Sequence, residues 1–284
     1  MKRVLVIGGT GTVGRHVVSQ LLAKGVEVRV LARNPQSASF GRQVEFVRGD
    51  LTAPETLDSA LAGRDAAFLV WTSPPATVAS ALKRITAGVQ RIVFLSAPLK
   101  TPHPLFQQPN AVRAIAEQIE AAIEASGIEW TSLRPGMFAA NALVWWAPTI
   151  RSGVPVRWPY LSVHTAPIDE RDIASVGVRA LCEDGHHRAE YVLTGPESLT
   201  LSEQISIIGR VLGRELCIEE LSPDEAPGKI LTGFPAPAVR MLLNAWAAAV
   251  GQPALVTSTF VGLMGRPPCS FRQWATDHSA QFRA

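Results

Sequence analysis

Gly8-Gly9-Thr10-Gly11-Thr12-Val13-Gly14 is the stretch on which the reading of this chain turns. It follows the apolar run Arg3 to Ile7, the pattern of a strand buried on both faces. It opens a helical pattern from Val13 to Leu22, which Lys24-Gly25 ends. Each glycine of the triplet has its own use. Gly8 makes a tight turn, Gly11 lets a ligand approach the backbone, and Gly14 lets the helix lie close on the strand. Thr10, Thr12 and Val13 complete the loop, and free N–H groups at the helix start suit a phosphate. Strand, glycine loop and helix together predict a seat for the pyrophosphate of a dinucleotide.

Outward from the loop, strand and helix signals alternate. Strands are expected at Val26 to Leu31, Val44 to Val47, Ala66 to Trp71, Arg91 to Leu95 and Trp130 to Leu133. Helices are expected after a Thr52/Glu55 capping box, at Val78 to Ile85, and at Ala111 to Ala125 with Gly127 as terminator. This order implies an α/β protein with a Rossmann, doubly wound parallel sheet and right-handed crossovers. Further on, Ile168 to Leu181 contains a helix, Tyr191 to Thr194 a strand, and Thr200 with Glu203 caps a helix that ends at Gly213. Prolines crowd Pro223 to Pro237, as in a loop or lid. The expected division is a nucleotide-binding domain over 1–155 and a smaller C-terminal substrate lobe over 156–284, with 165–195 returning to the sheet.

The end of the second strand reads Leu31-Ala32-Arg33-Asn34. A NAD enzyme places an acid there, about 20 residues past the loop, for the ribose hydroxyls. Arg33 instead suits a 2′-phosphate and the face of adenine, so NADP (NADPH) is favoured over NAD. Asp50 and Leu51 have two readings: contact with the adenine, or, for Asp50, a cap on the following turn.

With Gly8 to Gly14 and Arg33, the elements Gly49-Asp50-Leu51, Leu95-Ser96-Ala97, Ser126 to Phe138 with Asn141, Ile168 to Ala174 and Leu193 to Glu197 resemble the NmrA-like, atypical short-chain dehydrogenase/reductase group over nearly the whole chain. That group includes reductases of dyes, quinones and isoflavones, and regulators that bind the nucleotide without turnover. The resemblance implies that Trp71, Thr72, Ser96 and Ala97 lie near the cofactor's ribose and nicotinamide. It implies that Pro135 to Phe138 flank the nicotinamide ring, with Met137 and Phe138 facing substrate.

The chain departs from ordinary short-chain dehydrogenases at the catalytic tyrosine and lysine. Counted back from Gly127, those positions hold Val112 and Ala116, and neither can donate a proton. The two tyrosines, Tyr160 and Tyr191, lie outside that helix. Ser96 is left as the candidate catalytic group, and Glu120 reads as an ion-pair partner. The cluster Trp145, Trp146, Trp158, Tyr160 has two readings: core or subunit contact, or a platform in which Trp145 and Trp158 stack on a flat substrate.

Composition narrows the rest. Hydrophobic residues at 47% against 18% charged specify a packed core, and a net charge of +3 with dispersed cations argues against nucleic acid. Met1-Lys2-Arg3 with Val4 to Ile7 looks like a leader start, but the apolar run is too short, and no stretch reaches membrane-spanning length. Cys182, Cys217 and Cys269 lack zinc or redox spacing and fit reduced thiols in a cytoplasm. The histidines lack metal spacing, with His186-His187 read as a solvated loop. No metal is expected. Three functions stay open: an NADPH-dependent reductase of a conjugated acceptor (quinone, enone, imine or dye), a nucleotide-binding regulator, and an isomerase or dehydratase that retains its cofactor. The partner is a small molecule, and the chain is a monomer or homodimer.

Overall fold

In the computed structural model of the chain, which describes residues 2–34, 40 and 43–283, the apolar runs become one seven-stranded sheet. Met1, at the head of the leader-like start, lies outside the described residues. The strands are β1 (Arg3–Ile7), β2 (Glu27–Ala32), β3 (Val44–Arg48), β4 (Ala66–Val70), β5 (Arg91–Leu95), β6 (Glu129–Pro135) and, later in the chain, β9 (Ala189–Leu193). Their order is β3-β2-β1-β4-β5-β6-β9. The reversal beside β1 is the topological switch point of a doubly wound fold. Neighbours from β3 to β6 pair in parallel, for example Ile7 opposite Leu31 and Leu69.

Helices cover both faces, which is why the central strands are apolar throughout. On one face, α2 (Leu57–Leu61), α3 (Val78–Gly88) and α5 (Ala111–Ala125) pack on Leu5, Ile7, Leu69, Ile92 and Phe94. On the other, α1 (Gly14–Ala23) lies beside α8 (Glu170–Cys182). There Gly177 of α8 stands so close to Phe68 that a Cβ would sit 2.9 Å from the ring.

The expected capping box at Thr52 and Glu55 does not form. Pro54 begins a 3-10 turn without a side-chain cap. The Asp50 carboxylate takes the Thr52 N–H at 2.9 Å, and the Thr56 hydroxyl donates to Ala53 O at 2.6 Å. The box at Thr200 and Glu203 is present as expected.

The described chain divides into two compact units. The first unit holds the sheet and comprises 1–99, 111–135 and 170–192; the second comprises 100–110, 136–169 and 193–284. The chain passes from the first unit to the second at Pro135-Gly136, where β6 ends.

The second unit contains α4 (Pro104–Gln107), α6 (Asn141–Trp145), α7 (Ala147–Ser152), β7 (Val156–Trp158), β8 (His164–Thr165), β10 (Leu199–Thr200), α9 (Leu201–Val211), β11 (Ile218–Glu220), α10 (Ala236–Ala249), α11 (Thr259–Met264) and α12 (Phe271–Asp277). Its core is built on Trp146, Trp158, Trp246 and Trp274. Trp145, Trp146, Trp158 and Trp246 contact one another with ring centroids 5.5–5.9 Å apart.

Candidate active site

The glycine loop is shaped by contacts that only glycine tolerates. Gly8 has φ +85°, and a Cβ there would meet Val70 at 2.7 Å. A Cβ on Gly14 would lie 2.1 Å from the Gly8 carbonyl oxygen. Gly11 differs, since only the Gly8 oxygen, at 3.2 Å, comes near its missing Cβ, and the side toward the cleft is open. Helix α1 begins without a side-chain cap and without an acid in its first turn. In that turn the Arg15 and His16 N–H groups donate to Gly11 O at 3.1 Å and Val13 O at 3.0 Å, so what the helix start offers an anion is the positive end of its dipole. Arg15, which the sequence reading missed, folds back to donate to Gly11 O at 3.2 Å and Thr10 O at 3.3 Å. The signal for it was a long cation four residues past Gly11.

A cleft of about 390 Å³ opens over this loop. Arg33, Asn34, Asp50 and Leu51 line it together with Gly8, Thr10 and Gly11. Asp50 holds the turn through Thr52 and also borders the cleft. The Thr52 N–H is the main reason its carboxyl lies below the usual range, and the Arg33 charge adds to that pull.

Thr72 and Ser73 form a shared wall with a second cleft, of about 270 Å³. Its lining joins Trp71, Ser96 and Ala97 with Val112, Ile115, Ala116 and Ile119 of α5. The indole N–H of Trp71 is taken by Ser73 O at 2.7 Å. Val112 and Ala116 therefore face the same space as Ser96, and that wall is apolar. One turn past Ala116, Glu120 is buried and forms an ion pair with Arg134 at 2.6 Å. Burial works against the Arg134 charge, but its hydrogen bonds to Glu120 and Glu190 prevail and raise its pKa.

Other expected residues lie elsewhere. Pro135 closes β6 in the first unit, while Met137, Phe138, Trp145 and Trp158 belong to the second. Phe138 bridges Ile168, Met137 packs against the second unit's core, and Trp158 is 2% exposed within it. The Trp158 ring is occupied by core packing, which removes it as an open stacking platform. His186 is not solvated as read from the sequence: it is buried, with Nδ1 2.7 Å from the Tyr191 hydroxyl. Among the described residues, no group of three or more His, Cys, Asp or Glu side chains could hold a metal, and no helix is long and apolar enough to cross a membrane.

Residues 8–184 match the NAD(P)H-binding family. The chain belongs to that family. The NAD(P)H-binding match spans the glycine loop, both clefts and most of the sheet, and the cradle that Gly8, Gly11 and Gly14 leave open fits a nicotinamide dinucleotide. Over 98% of this chain and 99% of the relative, it is 38% identical to the (4-alkanoyl-5-oxo-2,5-dihydrofuran-3-yl)methyl phosphate reductase of Streptomyces griseus. It is 31% identical to the NAD(P)H azoreductase of Xenophilus azovorans, over 99% of each chain. In fold it matches the triphenylmethane reductase of Citrobacter sp. complexed with NADP(H), with TM-score 0.81, 21% identity and coverage of 97% and 99%. The NADPH-dependent quinone oxidoreductase of Escherichia coli gives TM-score 0.81, 22% identity and coverage of 96% and 99%. Within the NAD(P)H-binding family the chain is an NAD(P)H-dependent oxidoreductase.

Proposed function

We propose that this protein is an NADPH-dependent reductase of a conjugated acceptor that works without a tyrosine–lysine pair. The observation that carries this reading is the wall opposite Ser96, where Val112 and Ala116 supply no proton. The Gly8–Gly14 loop and the α1 N-terminus would hold the pyrophosphate, and Arg33 the 2′-phosphate. A bound reduced nicotinamide supplies the hydride. Trp71, Val112, Ile115, Ala116 and Ile119 give a flat apolar molecule a surface to lie on. Reduction of a simple ketone places charge on one oxygen, which needs a donor at that atom. A conjugated acceptor spreads the charge over its own frame and takes its proton from water. The relatives' names fit this division. The Streptomyces protein is named for a dihydrofuranone phosphate whose ring double bond carries two carbonyl groups on one of its carbons, and the Xenophilus protein for azo compounds.

The test is NADPH consumption against an acyl-dihydrofuranone, a quinone and an azo dye, with an aliphatic ketone and an aldehyde alongside. Turnover with a conjugated acceptor and none with the simple carbonyls is expected. Comparable rates on simple ketones, or no turnover with any conjugated acceptor, would overturn the proposal.

A further inference from the structure

Ser96 has two hydrogens able to form hydrogen bonds, and both are engaged away from the second cleft. Its backbone N–H donates to Leu133 O at 2.8 Å. Its hydroxyl oxygen lies 2.7 Å from Oε1 of Glu120. Both Glu120 oxygens also take hydrogens from Arg134: Oε1 from Nε at 3.2 Å and Oε2 from Nη2 at 2.6 Å. Glu120 is 6% exposed and Arg134 2% exposed, so water does not compete for these contacts. A carboxylate clamped by a guanidinium offers only acceptors. The hydrogen between Ser96 and Glu120 is therefore the serine's own. Toward the cleft Ser96 presents lone pairs, framed by the apolar side chains of Val112, Ala116 and Ile119.

We infer that Ser96 reads a hydrogen-bond donor, O–H or N–H, on the molecule in this cleft, and that Glu120 is the positioning residue that sets this polarity. The inference rests on the proposed reading only in taking the second cleft as a ligand site. It withdraws Ser96 as a proton donor to substrate. The donor belongs either to the acceptor molecule or to the nicotinamide half of the coenzyme; the chemistry at Ser96 is the same.

Replacing Glu120 by Gln tests the polarity directly. An amide nitrogen would meet a guanidinium hydrogen at either position, and the Nε contact at 3.2 Å is weaker than the Nη2 contact at 2.6 Å, so the amide oxygen keeps the Oε2 position. The nitrogen then occupies the Oε1 position and donates to Ser96. The serine hydroxyl is released to donate into the cleft. Arg134 keeps Glu190 as a counter-charge, at 2.5 Å.

The experiment is calorimetry with two unreactive probes, 2-naphthol and 2-methoxynaphthalene, on the full chain with and without NADP. Wild-type protein should bind the naphthol about fivefold to tenfold more tightly, the value of one hydrogen bond. A gap in the NADP-loaded protein assigns the donor to the acceptor molecule; a gap only in the free protein assigns it to the coenzyme. Ser96→Ala should remove the gap, and Glu120→Gln should close it, because the oxygens of both probes accept from a donating serine. Equal affinities in the wild type, binding of neither probe, or a gap that survives Ser96→Ala would overturn the inference. If Glu120→Gln fails to fold, the Ser96→Ala comparison still decides. None of these measurements needs turnover. Discrimination without NADPH consumption would keep this inference and remove the proposed function, and consumption without discrimination would do the reverse.

Discussion

A Cβ on Gly14 would lie 2.1 Å from the carbonyl oxygen of Gly8, closer than any non-bonded contact allows, whereas a Cβ on Gly11 would meet that same atom at 3.2 Å. The two glycines therefore fail differently. Gly14→Ala should destabilise the protein by roughly 1–3 kcal/mol, as overpacking does. Gly11→Val should stay folded and lose nucleotide binding, because its side chain would fill the pyrophosphate space. Melting temperature and NADPH titration on both variants check this; a folded Gly11→Val with unchanged affinity would place the phosphate elsewhere.

In the proposed reading, coenzyme choice rests on Arg33, exposed on the lining of the first cleft with no acid at the end of β2. NADPH should bind at least about tenfold more tightly than NADH, a difference of roughly 1.4 kcal/mol and within one charge-assisted hydrogen bond. Arg33→Asp should narrow or reverse the preference. Equal wild-type affinities would remove Arg33 from the 2′-phosphate.

Catalysis that depends on placement has a recognisable rate profile. Turnover should lack the step of a tyrosine-like ionisation, and Ser96→Ala should cost no more than about 10²-fold, the lower range for losing a general acid. Rate against pH, with acceptor saturating, is the measurement. Loss of all activity in Ser96→Ala at unchanged stability and coenzyme affinity would make the serine essential chemistry.

Burial, helped by the Arg179 charge, holds His186 below its ordinary 6.5. Between that lowered value and 6.5 the unfolded chain binds more protons than the folded one, so stability should rise with pH through this window. The stabilisation is present above 6.5 and fades as pH falls through the folded value. Melting temperature against pH should show this slope, and His186→Gln should flatten it. A slope unchanged by the substitution would assign it to other groups.

Much of the first unit is legible in the sequence because its signals are local. Ala111 to Ala125 is read to the residue, and β5 likewise, since each is bounded by residues that stop the element. The glycine loop is legible for the same reason. The polar floor of the second cleft is not. Glu120 is visible as a carboxylate awaiting a partner, but Ser96 and Arg134 reach it, and Glu190 reaches Arg134, only through strand order, which brings β5, β6 and β9 side by side. The Thr52/Glu55 pattern misleads because Pro54 and Thr56 satisfy that turn another way. His186 misleads because Tyr191, from the following strand, covers it.

Strand β9 sits at the rim of the sheet beside β6, yet the chain from Gly136 to Arg188 separates the two. During synthesis, at about 5–20 residues per second, six strands can assemble seconds before the seventh emerges. For that interval the rim of the nascent sheet is β6. That strand closes on Arg134 and Pro135, a charge and a residue without an N–H. Both residue types discourage edge-to-edge pairing with a neighbouring chain on the same ribosome cluster. The same Arg134 that later holds Glu190 thus guards an unfinished edge until its last counter-charge has been made.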